Sequence, residues 1–390
     1  MPTSTNPDTT SKPDLGNNGG PMLSFRIGQL IFVLFAFMVA LDLMSGSFKL
    51  FGKDFANELV SVTTNPFISL FIGMLATAII QSSSTTTTMI VGLVASGSIG
   101  VPEAAPMIMG ANIGTSVTST IVSLGHIGDR DEYPKAVAAA TVHDFFNIIT
   151  VSVLFTLEVT TGILSSSAQS MADFFYSTAG EGGKTKGILD YTTKAFAKWI
   201  IGLTATEGYP GGSPFITLPI ALGLLFFSLR GLTKSLKDLI IGRVEKNLNK
   251  YVFGNGLKAI LWGFGITTAV QSSSVTSSLM VPMVASEKIT LRKAFPFLMG
   301  ANIGTTTTAL IAAFFLGSQS TDALAIAFVH FFFNAIGVLI LYPIPIVREI
   351  PVFLATGLGN LTLKNRLIGI IYVVVVFFII PGILIFLTRS

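Results

Sequence analysis

Residues 81–115 read QSSSTTTTMIVGLVASGSIGVPEAAPMIMGANIGT, and residues 271–305 read QSSSVTSSLMVPMVASEKITLRKAFPFLMGANIGT. At this offset of 190 residues, 19 of 35 positions are identical without a gap. Gln81-Ser82-Ser83-Ser84 returns as Gln271-Ser272-Ser273-Ser274, and Met109 to Thr115 returns as Met299 to Thr305. A looser echo follows, His143-Asp144-Phe145-Phe146-Asn147 against His330-Phe331-Phe332-Phe333-Asn334. An apolar composition raises the rate of chance matches, but it does not produce two identical blocks at one spacing. The chain carries an internal duplication.

The surroundings of the two blocks put them in a membrane. The 390 residues are 51% hydrophobic and 11% charged, with a mean hydropathy of +0.72, whereas soluble domains carry about 25% charged residues. Leu59 to Pro102 and Ala294 to Thr321 contain no Asp, Glu, Lys or Arg. A helix crosses the hydrocarbon core in about 20 apolar residues, so the composition predicts an all-α polytopic membrane protein. It excludes a soluble enzyme, and also a transmembrane β-barrel, whose strands alternate over about ten residues. There is no cysteine, which removes disulfides, thiolate metal sites and Cys nucleophiles. The net charge is only +4.

Spanning segments are read at about 25–46, 107–125, 134–160, 214–230, 323–342 and 367–387. The first follows a single nearby cation, Arg26, and no cleavage signature, so it is a membrane helix and not a signal peptide. The organisation is then a disordered tail at 1–24, a first transmembrane repeat at 25–160, an extracytoplasmic loop at 161–213, a second repeat at 214–342, and a C-terminal segment at 343–390 with a final spanning helix. Within the second repeat, 231–257 is a cytoplasmic amphipathic linker. Seven cations against two acids over 230–258 mark that side. Leu232, Leu236, Leu239, Ile240 and Val244 recur at helical spacing, as expected of a helix lying on the membrane surface.

The apolar arm before Gln81 is long enough to enter the membrane, but the arm Met89 to Ala95 is too short to leave on the far side. Each Gln-Ser-Ser-Ser block is therefore expected at the tip of a re-entrant hairpin, and 107–125 is expected to break at Gly110 to Gly114. Three crossings (107–125, 134–160 and 214–230) separate the hairpins. Three is odd, so the two repeats are inverted relative to each other. Inverted repeats with interrupted helices are the pattern of secondary transporters. No cation lies between Lys53 and Arg130 or between Lys293 and Arg348. A midplane site would then offer hydroxyls, amides and helix ends: N–H groups that favour anions and carbonyls that favour hard cations. That set suits a small oxyanion bound together with Na⁺, which offsets the anion's desolvation. The competing reading, that Ser, Thr and Gly only let helices pack closely, explains a single run better than a doubled one. His143 and Asp144 are adjacent and point about 100° apart on a helix, so the His pair is read as structural. Asp42 and Glu158 are read as snorkelling to the interface.

The paired Gln-Ser-Ser-Ser blocks, the Gly-Ala-Asn-Ile-Gly-Thr echoes, Gly128-Asp129-Arg130 and Thr141 to Asn147 resemble the type II sodium-dependent phosphate cotransporters over about 25–342. The resemblance implies a symporter that couples Na⁺ entry to phosphate uptake by alternating access, with Na⁺ as coupling ion, no other cofactor and no nucleic acid. Carried over, it implies phosphate and sodium binding by Gln81, Ser82, Ser83, Ser84, Thr85, Asn112, Thr115, Gln271, Ser272, Ser273, Ser274, Thr276, Asn302 and Thr305. Na⁺ itself is expected at Gln81, Gln271, Ser272, Asn112 and Asn302. Asp129 resembles an acidic position tied to an extra sodium site. Animal members carry a glycosylated, disulfide-bonded loop where 161–213 has neither Cys nor Asn, which looks bacterial and implies a multi-pass protein of the inner membrane. Homo-oligomerisation is left open. The crossings leave the C-terminus outside, whereas the resemblance favours the cytoplasm.

The alternative cargo is a carboxylate or sulfate, since neutral donors with Na⁺ serve any oxyanion. An intramembrane serine hydrolase needs one nucleophile and one base and has no use for two opposed Ser clusters. A passive channel is a third class.

Overall fold

The computed structural model describes residues 19–179, 188–244, 252–316 and 321–388. Among them the chain is helical, with one isolated bridge between Thr206 and Tyr209 and no strand. The predicted tail lies outside the described residues up to position 18; helix α1 (Gly19–Leu50) then begins within it. Among the described residues, seven helices are long and apolar enough to cross a membrane: Gly28–Leu50, Val101–His126, Tyr133–Thr161, Pro214–Ser235, Leu291–Leu316, Thr321–Leu341 and Ile368–Leu387. The chain is a multi-pass membrane protein.

The first repeat continues with α2 (Gly52–Thr63), bent by 103° from α3 (Pro66–Ile80). Asn65 makes that corner, accepting the Phe67 N–H at 3.0 Å ahead of a proline in the first turn. Then come α4 (Ser83–Ala95), α5 (Val101–Gly114), α6 (Ser116–Ser123) and α7 (Tyr133–Thr161). The connecting segment 161–213 holds two helices, α8 (Ile163–Ala179) and α9 (Ile188–Leu203). The second repeat runs α10 (Pro214–Val244), α11 (Gly256–Val270), α12 (Ser273–Ala285), α13 (Leu291–Leu316) and α14 (Thr321–Leu341). Helix α15 (Pro345–Leu361) and the last span, α16 (Ile368–Val374) and α17 (Ile380–Thr388) joined by a π turn, complete the chain.

Both re-entrant hairpins are present. Helices α3 and α11 are 15 residues long and α4 and α12 are 13, or about 22 Å and 20 Å at 1.5 Å per residue. None reaches across about 30 Å of hydrocarbon. Three spans separate the hairpins, so the repeats run in opposite directions. The first arms pack on their own repeat, α3 on α5 and α11 on α13; the second arms cross over, α4 onto α13 and α12 onto α6. Glycines set the first contact. A Cβ at Gly73 would overlap the Met107 carbonyl oxygen, and one at Gly110 the Leu70 carbonyl oxygen. The partners at the 190-residue offset behave alike: Gly263 against Phe297 and Gly300 against Ile260. These small residues let two backbones touch.

Three details differ from the sequence reading. The break in the first repeat falls at Thr115, between α5 and α6, and not at the glycines; α13 passes the equivalent position unbroken. The glycines are helical because their missing Cβ serves packing, not a turn. The basic segment after Arg230 is no separate surface helix: α10 runs on without interruption to Val244, since no proline stands between Arg230 and Val244 to stop the helix. Residues 245–251 lie outside the described residues. Glu158 does not snorkel. Its buried carboxylate accepts the Leu164 N–H at 2.7 Å and the Ser165 N–H at 3.2 Å, capping α8.

Candidate functional site

Each Gln-Ser-Ser-Ser block is a helix end followed directly by a helix start. Gln81 closes α3 in the left-handed region (φ 56°, ψ 30°), with its N–H on the Thr77 carbonyl at 2.7 Å. Ser82 is extended (φ −148°, ψ 101°), and its Oγ accepts the Thr85 N–H at 3.2 Å as the cap of α4. Gln271 (φ 58°, ψ 28°) and Ser272 (φ −154°, ψ 109°) repeat the geometry, with Ser272 capping through the Val275 N–H at 3.3 Å. The left-handed region costs a residue with a Cβ roughly 1–2 kcal/mol, and glycine would enter it freely. Two glutamines in that strained corner point to use of the side chain.

The two turns, contributed by inverted hairpins, line one cavity of about 540 Å³. Its walls include Gln81 to Thr85, Gln271 to Val275, Thr118 from α6, and Arg230, Thr233 and Lys234 from α10. First-turn N–H groups have no partner inside their helix, so α4 and α12 bring donors here at their positive ends, while α3 and α11 bring terminal carbonyls. The two glutamines are engaged differently. Gln271 Oε1 accepts from Thr308 Oγ1 at 2.8 Å, and its Nε2 donates to the Thr268 carbonyl. Thr118, at the position equivalent to Thr308, reaches the Gln81 backbone carbonyl instead, at 3.4 Å. The Gln81 side chain is exposed and has no hydrogen-bond partner among the described residues.

Arg230 and Lys234 were not expected at the site, because no cation is near either block in the chain. They stand one turn apart near the end of the span that opens the second repeat, and only the packing of α10 brings them to the cavity. Linear sequence carries no signal for that placement.

Five candidates lie elsewhere. Thr115 and Thr305 return their hydroxyls to Ala111 and Ala301 in their own helices, at 3.2 and 3.0 Å. Thr276 accepts from Thr267 at 3.0 Å and bonds back to the Ser272 carbonyl. Asn112 and Asn302 belong to a buried amide network. Asn302 Nδ2 donates to Asn147 Oδ1 at 3.0 Å, Asn147 Nδ2 to the Asn112 carbonyl at 2.8 Å, and Asn334 Nδ2 to Asn112 Oδ1 at 3.1 Å. His330 Nε2 contacts the same Oδ1 at 3.3 Å. The network ties both repeats together through the His-x-x-x-Asn echoes. His143 and Asp144 are buried beside it, with Nε2 and Oδ1 3.7 Å apart, beyond hydrogen-bond reach, as their adjacency on one helix implies. Tyr372 Oη donates to Asp144 Oδ2 at 3.4 Å, docking the last span. Asp129 holds the loop before α7, accepting the N–H groups of Asp131 and Glu132 at 2.8 and 2.9 Å.

The model of a family described as Na⁺/Pi-cotransporter matches residues 36–157 and 224–343, once over each repeat. The chain belongs to the Na⁺/Pi-cotransporter family. It is 34% identical to sodium-dependent phosphate transport protein 2B of Homo sapiens, over 93% of this chain and 66% of the relative. It is 34% identical to the 2B protein of Pongo abelii, over 91% and 64%, and 33% identical to the 2A protein of Ovis aries, over 92% and 67%. The chain thus spans slightly under two thirds of the 2B relatives' length. No solved structure matches it. The stretch between the two family matches, 158–223, holds α8, α9 and the start of α10.

Proposed function

We propose that this chain is a secondary active symporter that couples Na⁺ entry to uptake of inorganic phosphate by alternating access. The observation that carries the reading is the single cavity bordered by both Gln-Ser-Ser-Ser turns. A tetrahedral oxyanion is accommodated by N–H donors of α4 and α12 and by Ser hydroxyls. Na⁺ suits the oxygens beside them: helix-terminal carbonyls, Ser82 and Ser272 hydroxyls and the Gln81 amide oxygen, as hard cations prefer. Of the sodium candidates, Gln81, Gln271 and Ser272 border the cavity; Asn112 and Asn302 hold the two repeats together. Binding of both ligands at the meeting point of inverted repeats lets one half rock against the other around a fixed site. Family membership and the names of the relatives favour phosphate over a carboxylate or sulfate.

Arg230 and Lys234 at the mouth, with the basic stretch that follows them, fit a cavity open to the cytoplasm. The protein would then sit in a cell membrane, with phosphate leaving past these two cations. The deciding experiment is radiolabelled phosphate uptake into proteoliposomes. Accumulation driven by an inward Na⁺ gradient and not by a K⁺ gradient is expected, with competition by arsenate and not by sulfate or succinate. Equal uptake in both gradients would sink the reading.

A further inference from the structure

Helix α15 lies across one end of the bundle and not through it. Near its start, Glu349 Oε2 accepts from Arg292 Nε at 2.8 Å, and Arg292 opens α13. Near its end, a Cβ on Gly359 would overlap the carbonyl oxygen of Pro134, which opens α7. Between Pro134 and Arg292 the chain makes two crossings and one re-entrant hairpin, so both anchors are on the same side. With two anchors on one face, α15 runs in the plane of the membrane.

Its two faces are both apolar. Val352, Ala355 and Gly359 are buried against the bundle. On the other side Ile346 (81% exposed), Ile350, Phe353 (77% exposed), Leu354 and Leu361 form an exposed stripe. An in-plane helix with such a stripe rests at the boundary between head groups and acyl chains.

At the end of α15 is a cavity of about 310 Å³ that shares no residue with the transport cavity. Arg130, Lys364 and Arg366 line it, with Asp129 as its one carboxylate. The two backbone N–H groups on Asp129 lower its pKa, so it stays ionised and engaged in its own turn. Three cations against one anion leave the pocket positive. Leu363 and Leu367, both exposed, flank it. Tyr133 Oη fixes this corner by donating to the Arg366 carbonyl at 3.0 Å.

We propose that this pocket binds the phosphodiester head group of an anionic phospholipid, whose acyl chains lie along Leu363, Leu367 and the α15 stripe. A free phosphate ion would match the cations but has no use for the apolar flank. Anionic lipids are enriched on the cytoplasmic leaflet, where basic pockets between helices collect their head groups.

The test uses the full chain, purified in detergent and titrated with phosphatidylglycerol, phosphatidylcholine and inorganic phosphate, with bound lipid read by native mass spectrometry. Phosphatidylglycerol is retained in preference to phosphatidylcholine. Lys364→Gln weakens that retention about fivefold, equivalent to about 1 kcal/mol for one cation near a membrane surface. The combination R130Q/K364Q/R366Q abolishes the preference. The Tyr133 bond uses the Arg366 backbone and survives these changes; should the triple variant still fail to elute like wild type, Lys364→Gln decides alone. Equal retention of both lipids by wild type, or unchanged affinity in the variants, overturns the proposal. Displacement of phosphatidylglycerol by inorganic phosphate also overturns it, and identifies a free-phosphate site.

Discussion

Gln81 and Gln271 occupy the same left-handed corner, yet their side chains do different work, and substitution separates them. Gln271→Ala strands the Thr308 hydroxyl, and an unsatisfied buried group costs about 1–3 kcal/mol; a lower melting temperature and yield are expected. Gln81→Ala breaks no bond to the fold, so melting stays near wild type while apparent affinity for Na⁺ or phosphate falls about tenfold or more, the equivalent of about 1.4 kcal/mol. Gln81→Gly sharpens the contrast. It relieves the strained φ but loosens the unfolded chain, so stability changes by less than about 1 kcal/mol while binding is lost. Wild-type binding by Gln81→Gly would mean that the corner is only a turn.

Helix contacts carry the next set of expectations. Gly110→Ala and Gly300→Ala each force a methyl into a neighbouring carbonyl, and overpacking of this kind costs about 1–3 kcal/mol. Both variants should melt lower, whereas Gly128→Ala, with open space around it, should melt like wild type. Equal melting of all three would refute the backbone contact. On α10, the pair Arg230→Gln and Lys234→Gln should weaken phosphate binding at low salt, and the deficit should shrink as ionic strength rises, because the two cations are exposed and screened. A deficit unchanged between about 10 mM and 1 M salt would argue against an electrostatic role.

At the scale of the molecule, inversion of the repeats makes a prediction about sidedness. The chain lacks cysteine, so single cysteines report without background. Asp131 and Glu207 are both exposed and are separated by the one crossing of α7. Glu207→Cys should react with an impermeant thiol reagent from outside intact cells, and Asp131→Cys only after the membrane is opened. Reaction of both from outside would refute the arrangement. The same counting puts the C-terminal end of the chain on the side opposite α15, next to α3, against which α17 packs. Helix α15 adds no crossing to that count, since both of its anchors lie on one face.

Much of this was legible in the residues. Hydropathy alone located six of the seven spans, because in hydrocarbon every backbone group must be satisfied within its own helix, which makes spanning a local property; the seventh, Leu291–Leu316, carries the polar Asn302 and Thr305 to Thr308 in its middle and was not read as a span. The duplication determined the hairpins and their inversion, since an odd number of crossings reverses direction whatever the packing. Gln-Ser-Ser-Ser was recognisable as a candidate site because it interrupts helices with donors and acceptors. Side-chain partners were not legible, because they depend on which faces meet. The glycines of Gly-Ala-Asn-Ile-Gly-Thr proved to be packing contacts, and its asparagines became part of an amide network spanning both repeats. Arg230 and Lys234, 41 and 37 residues from Gln271 in the chain, reach the cavity only through the docking of α10. Those placements are tertiary: each is decided by close packing between segments far apart in sequence, which no local pattern encodes.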